Sequence, residues 1–199
     1  MKMQNTIEEI LGSKIKIGIL RLLYRTRSMY SGREISRLVG FSPSHTIASL
    51  RELEMSGLVL RQRVGRTDLY QLNEKNSAVN GVLKPVYDWE SGLLGELATM
   101  YAERLGNNVV SIRLFGSVAR DNQEPGSDID LVLTVADGVD MQEIEEAITA
   151  IDLDAGQKFG CPVSTIVVTE KEYAKKVKSK QGFWKAIPKE SKLLFGRER

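Results

Sequence analysis

Apolar residues recur at helical spacing over the first fifty positions, then switch to the two-residue alternation of strands. Ser13 is placed to cap a helix from Lys14 to about Tyr24, with Ile15, Ile19, Leu22 and Leu23 on its apolar face. Ser31-Gly32 restarts the chain into a short helix, REISRLVG, with Ile35 and Leu38 turned inward and Gly40 as its cap. Ser42-Pro43 opens a third helix to about Met55, expected to bury Ile47, Leu50 and Leu53 or nearby positions. Two strand-like runs follow, LVLRQR and TDLYQL, joined by Val64-Gly65-Arg66. Residues 74–80 are polar at their start and read as a linker. A mostly helical pattern then runs from Val82 to Leu105, with Leu93, Leu97, Met100, Tyr101 and Leu105 on one face, and Pro85 should start or break it. Beyond it come a strand, VVSIRLF, and a tight turn at Gly116-Ser117. After a polar loop, a second strand opens with Asp128 and Asp130. A long amphipathic helix with Ile144, Ile148, Ile151, Ala155 and Phe159, a strand CPVSTIVV, a basic helix from Glu170 to Lys180 and a closing LLFG complete the chain. This order argues for a compact α/β or α+β unit in the second half.

Charge divides the chain more sharply than composition does. Residues 1–75 hold 13 Lys and Arg against 7 Asp and Glu; residues 76–169 hold 5 against 15; the last 30 hold 10 against 4. A basic front and an acidic middle imply two modules with different partners, with nucleic acid a candidate for the first. No apolar run approaches the ~20 residues that span a bilayer. The N-terminus lacks a signal pattern, and the single Cys161 excludes an intramolecular disulfide, all of which favours the cytoplasm and no membrane partner. Cys161 reads as a buried structural thiol, and His45, the only histidine, is too isolated to be a metal ligand.

Three helices and a β-hairpin, carried by REISRLVGFSPSHTIASLRELEMSGLV and RQRVGRTDLYQL, resemble the winged helix-turn-helix domains over roughly residues 10–73. The resemblance implies double-stranded DNA as partner, with the third helix in the major groove. Its outward side would present Ser44, His45, Thr46 and Ser49, with Arg51 nearer the phosphates. The hairpin would carry Arg61, Arg63 and Arg66 to the backbone or minor groove. The alternative is a solvated basic face on a module that mediates dimerisation or protein contact; the basic wing favours DNA.

The stretch LFGSVARDNQEPGSDIDLVL, Leu114 to Leu133, carries the chemistry. Residues two apart in a strand share a face, so Asp128 and Asp130 point the same way while Ile129 and Leu131 point into a core. Paired carboxylates repel unless a cation sits between them, and a hard divalent ion such as magnesium, shared with a substrate phosphate, is the economical explanation. The alternative is an acidic strand entrance beside a turn, with Ser127 capping the loop.

Gly116-Ser117, ten intervening residues and Asp128-Ile129-Asp130 resemble the signature of the DNA polymerase beta-like nucleotidyltransferase superfamily. GSVAR followed by SDIDLVL is closer still to its minimal nucleotidyltransferases, over roughly residues 90–196. The resemblance implies magnesium at Asp128 and Asp130, both catalytic, with the triphosphate of an NTP, ATP foremost, held by Gly116, Ser117 and Arg120. An acceptor hydroxyl would attack the α-phosphate and expel pyrophosphate. Minimal nucleotidyltransferases include antitoxins that modify a partner toxin, so a protein acceptor and a small molecule both stay open. The family usually carries a third carboxylate on the next strand; Ser164 stands in its place, and a hydroxyl is a weak metal ligand and a poor base. Asp121 stands where relatives often have glycine, Asp152 and Asp154 fall on the preceding helix, and Glu170 lies about 20 Å along an extended strand from Ser164.

The expected architecture is α+β in two domains. A winged helix of three helices plus a β-hairpin spans residues 1–75, a linker and the start of a connecting helix 76–89, and a nucleotidyltransferase fold, a small mixed sheet with helices, 90–199. Two functions stay open: a transferase, and a transcription regulator whose C-terminal domain binds nucleotide without catalysing. The helix 82–105 could pack on the second domain, pair two chains into a homodimer, or both.

Overall fold

A computed structural model of the chain describes residues 8, 12–120, 122, 126–179 and 181–197. The chain divides into two compact units, 1–91 and 92–199. No described helix is long and apolar enough to cross a membrane.

The first unit contains α1 (Lys14–Thr26), β1 (Tyr30–Ser31), α2 (Gly32–Val39), α3 (Pro43–Met55), β2 (Val59–Val64) and β3 (Thr67–Leu72). Strands pair antiparallel in the order β1-β3-β2, the β2–β3 hairpin forming the wing. Ser31 and Glu34 form a reciprocal capping box at the start of α2, and Gly40 ends it at φ 73°. Ser13 precedes α1 in extended conformation, but its hydroxyl caps nothing. Ile35 faces inward as expected; Leu38 does not and is exposed. The buried stripe of α2 runs through Gly32, Ile35 and Ser36 to Val39, which approaches α1 at Gly18, so Val39 takes the place expected for Leu38.

Ala78, Val79, Leu83 and Tyr87 join the core of this first unit, so the stretch expected to open as a linker is packed there. Helical hydrogen bonding passes Pro85 through a wide turn at Val79–Leu83, where Lys84 N–H reaches back five residues to the Val79 carbonyl. That widened turn accommodates Pro85, which lacks an N–H donor and whose ring would otherwise press on the carbonyl four residues back. The helix continues as α4 (Lys84–Leu105).

The second unit contains β4 (Val109–Phe115), α5 (Gly116–Ala119), β5 (Ile129–Val135), α6 (Met141–Phe159), β6 (Val163–Thr169), α7 (Glu170–Ser179), α8 (Ile187–Glu190) and β7 (Lys192–Gly196). Its sheet runs β6-β5-β4-β7, with β5–β6 parallel and the other pairs antiparallel. Ile129, Leu131, Leu133 and Val135 face one side, packed with Leu97, Tyr101, Ile144 and Ile148. The opposite face, carrying Val132, is partly covered by Val168, Ile187, Tyr173 and Trp184. Half-buried Cys161 packs at the margin of the larger core. This mixed sheet holds the candidate site at one end of β5.

Candidate functional site

Gly116 is the pivot of the site. It leaves β4 at φ 75°, and a β-carbon built on it would overlap Asp130 Oδ2 and lie 3.1 Å from Asp130 Cγ. Glycine is therefore required twice, by the backbone and by the carboxylate beside it. Register explains the meeting: Phe115 pairs opposite Asp130 on β5, so the turn after Phe115 runs past the Asp130 side chain. Ser117 follows in the first turn of α5, and its carbonyl accepts the Asn122 N–H at 3.0 Å.

Asp128 is exposed just ahead of β5, and Asp130 is half-buried on the strand. Neither carboxylate enters a hydrogen bond or ion pair with a described residue. Burial raises the Asp130 pKa above its ordinary value, repulsion from Asp128 raises it further, and Arg120 opposes both. Arg120 is exposed and lies 3.7 Å from Glu190, an open pairing of little energy. Gly116, Asp128, Asp130 and Arg120 are thus brought to one place. Asp121 lies outside the described residues.

On β6 the residue paired with Asp130 is Ser164. Parallel partners in register share a face, so the position expected for a third acid is where the sequence put it, and it holds an exposed hydroxyl. The other acids are committed elsewhere. Asp152 accepts hydrogen bonds from Tyr101 and from Thr165, whose side chain leaves β6 on the face opposite Ser164. Asp154 pairs with Arg104 at 2.6 Å. Among the described residues no group of three or more His, Cys, Asp or Glu side chains forms a ready metal cage. Two adjacent carboxylates without partners among the described residues nevertheless fit magnesium, which commonly takes one or two carboxylates and completes its shell with phosphate and water.

One group escaped the sequence. Phe183, exposed, stacks on Phe115 with ring centroids 5.4 Å apart, beside the strand position of Asp130. Nothing in QGFWK marks it, because the contact depends on how the segment after α7 returns over the sheet.

In the first unit, Ser44, His45 and Arg51 are exposed on α3, as are Arg61, Arg63 and Arg66 on the hairpin. Thr46 and Ser49 are not outward residues as expected: both are buried. They share the stripe 46, 49, 50, 53 with Leu50 and Leu53, while Ile47 is only half-buried against Gly32. Thr46 tolerates this because its hydroxyl donates to the Ser42 carbonyl one turn back, 2.9 Å away. Ser42 caps the helix by accepting the His45 N–H, and its hydroxyl also hydrogen-bonds His45 Nδ1 at 3.0 Å. Arg61 pairs with Glu54 at 3.0 Å and Asp68 at 3.5 Å, and Arg63 with Asp68 at 3.5 Å, which tempers the wing's charge.

Comparison with known proteins follows the same division. Residues 94–190 match the family model described as a nucleotidyltransferase domain. A search of the curated proteins found no match. Among solved structures the chain is similar to a toxin-antitoxin with AMP-PNP (20% identity, 52% of this chain and 74% of that one, TM-score 0.39). It is also similar to NolR from Sinorhizobium fredii (21%, 41% and 77%, TM-score 0.36). A third is the homodimeric winged helix-turn-helix DNA-binding domain Mb0332 from Mycobacterium bovis (22%, 43% and 79%, TM-score 0.36). Residues 94–190, nearly all of the C-terminal unit, thus match a nucleotidyltransferase domain, and the three helices and β-hairpin ahead of it have the arrangement of a winged helix.

Proposed function

We propose that the C-terminal domain binds a nucleoside triphosphate with magnesium and transfers its nucleoside monophosphate to an acceptor hydroxyl, on a chain that the winged helix holds to double-stranded DNA. The observation that carries this reading is the pair of carboxylates, Asp128 and Asp130, without partners among the described residues, with Asp130 set against the Gly116 turn. Gly116 lets backbone approach the phosphates, the Ser117 hydroxyl and neighbouring N–H groups donate to them, and Arg120 adds positive charge. Asp128 and Asp130 would hold the metal, which supplies neutralisation of the charge that develops as pyrophosphate leaves. The Phe183 ring offers a face on which a nucleobase can stack.

Ser164 favours a second reading, a regulator that senses nucleotide without turnover. Incubation with α-labelled ATP and magnesium separates the two. Label appearing on protein or on an added hydroxyl acceptor, with pyrophosphate released, supports transfer; saturable binding without release supports sensing. Ser164→Asp places a carboxylate beside Asp130 in the paired register, and it is expected to raise pyrophosphate release by about 100-fold or more if the missing group is the base. No change in that variant would show that the site does not need the acid.

For the front unit, exposed His45, Ser44 and Arg51 on α3 together with the three hairpin arginines support groove and backbone contact. Affinity for duplex DNA should fall steeply between about 50 and 200 mM salt, with a log–log slope reduced by roughly 2 to 3 in the Arg61→Ala/Arg63→Ala/Arg66→Ala protein. An unchanged slope would remove the wing from the interface.

A further inference from the structure

The face of the sheet that carries Asp130 has a second polar end. Side chains alternate, so Asp130, Val132 and Thr134 lie on one side of β5; opposite them on β4 stand Phe115, Arg113 and Ser111. Val132 is sealed by Val168 and Ile187, so the Thr134 end is separated from the nucleotide site by packed core and by about 13 Å of strand. Beyond that seal lies a cavity of about 430 Å³ between the sheet, α7 and α8, reached by Arg113, Ser111 and Thr134.

These three side chains are more than nine-tenths buried, and two of them, Thr134 and Arg113, are short of partners among the described residues. Thr134 Oγ1 has no hydrogen-bond partner among the described residues. Arg113 donates one hydrogen bond, from Nη1 to Ser191 Oγ at 3.3 Å, and forms no ion pair with any described carboxylate. A guanidinium has five N–H donors, and burying one with a single neutral partner is costly. Buried polar groups left open in this way are characteristic of sites that receive a ligand. The complement to Arg113 is a planar oxyanion, which accepts two parallel N–H bonds and leaves a lone pair for the Thr134 hydroxyl. The rest of the wall is largely apolar, with Val110, Tyr173, Ala174, Val177 and Pro188, and exposed Lys178 and Arg197 stand among the lining residues, as does Glu170.

We propose that this cavity is a second ligand site, for a small organic carboxylate whose head group meets Arg113 and Thr134 and whose apolar body lies along α7. It is separate from the nucleotide site and does not depend on how that site acts.

The full chain is titrated with hexanoate, with hexan-1-ol as the uncharged control and inorganic phosphate as the anion without a tail, following thermal denaturation and binding heat. Hexanoate is expected to stabilise saturably below about 10 mM, hexan-1-ol not at all, and phosphate at least about tenfold more weakly. Arg113→Met should melt higher than the wild type without ligand, since an unpaired buried charge is gone, and lose the hexanoate response. Thr134→Val, which keeps shape and removes only the hydroxyl, should weaken hexanoate several-fold. Equal action of hexanoate and hexan-1-ol, a response retained in both variants, or no saturable response would overturn the proposal and leave the cavity to ordinary hydration. Phosphate binding as tightly as hexanoate would overturn the carboxylate assignment.

Discussion

Asp130→Asn is expected to abolish magnesium-dependent ATP binding while making the ligand-free protein harder to melt. Both effects follow from one carboxylate held where ionisation is unfavourable. Its pKa is raised, first by burial and then by Asp128, with Arg120 too exposed to cancel them. A raised folded-state value means the group contributes stability below its unfolded pKa and loses that contribution as pH rises through the folded one. At neutral pH the ionised form therefore weighs against the fold, and asparagine removes the weight. Binding moves the other way. Loss of outer-shell partners of metal ligands already costs about 10–100-fold, so loss of a ligand should cost at least about 100-fold in affinity. In the wild type, nucleotide affinity should decline as pH falls through the raised Asp130 value, at a higher pH than an ordinary aspartate would set. Calorimetry and a melting curve on the same samples check both. A variant that binds as the wild type does, or melts lower, would contradict this account of the charge.

Gly116→Ala should damage the site almost as severely for a different reason. At φ 75° an alanine is strained by about 1 kcal/mol or more, and its methyl would also overlap Asp130 Oδ2. Something must move, and the carboxylate is the nearest group. The expected result is a lower melting temperature together with loss of magnesium-dependent nucleotide binding. Gly138→Ala supplies the comparison, since Gly138 has φ 86° with nothing within 4 Å of a built β-carbon. That variant should share the backbone penalty and keep nucleotide affinity. Equal binding by both variants would mean that Gly116 serves the turn alone.

The residues of the site were legible because they obey local rules. Register sets Asp130 opposite Phe115, the glycine turn carries the chain past its carboxylate, and the strand after α6 sets Ser164 next to it, while Asp128 lies just ahead of the strand. What escaped depended on partners distant in sequence. Thr46 and Ser49 looked solvent-facing by polarity, yet the helical stripe through Leu50 and Leu53 buries them, with the Thr46 hydroxyl satisfied by Ser42. The two-residue β1 exists only because β3 passes beside it, and β7 because β4 needs a partner on its open edge. Residues 74–80 read as a linker and Pro85 as a break or start of the helix, yet Ala78, Val79, Leu83 and Tyr87 complete the first core. Arg113, set within a β-rich apolar run, gave no sign that its guanidinium would be buried without a carboxylate.

One metal ion with a nucleotide is expected to sit between the Gly116 turn and the two aspartates. Manganese substituted for magnesium, with ATP and isotope-labelled protein, reports this directly through paramagnetic broadening of amide resonances. The account predicts strong broadening confined to the neighbourhood of Gly116–Ala119, Asp128 to Asp130 and Ser164, and its disappearance in Asp128→Asn/Asp130→Asn. Broadening centred elsewhere, or persisting unchanged in the double variant, would contradict it.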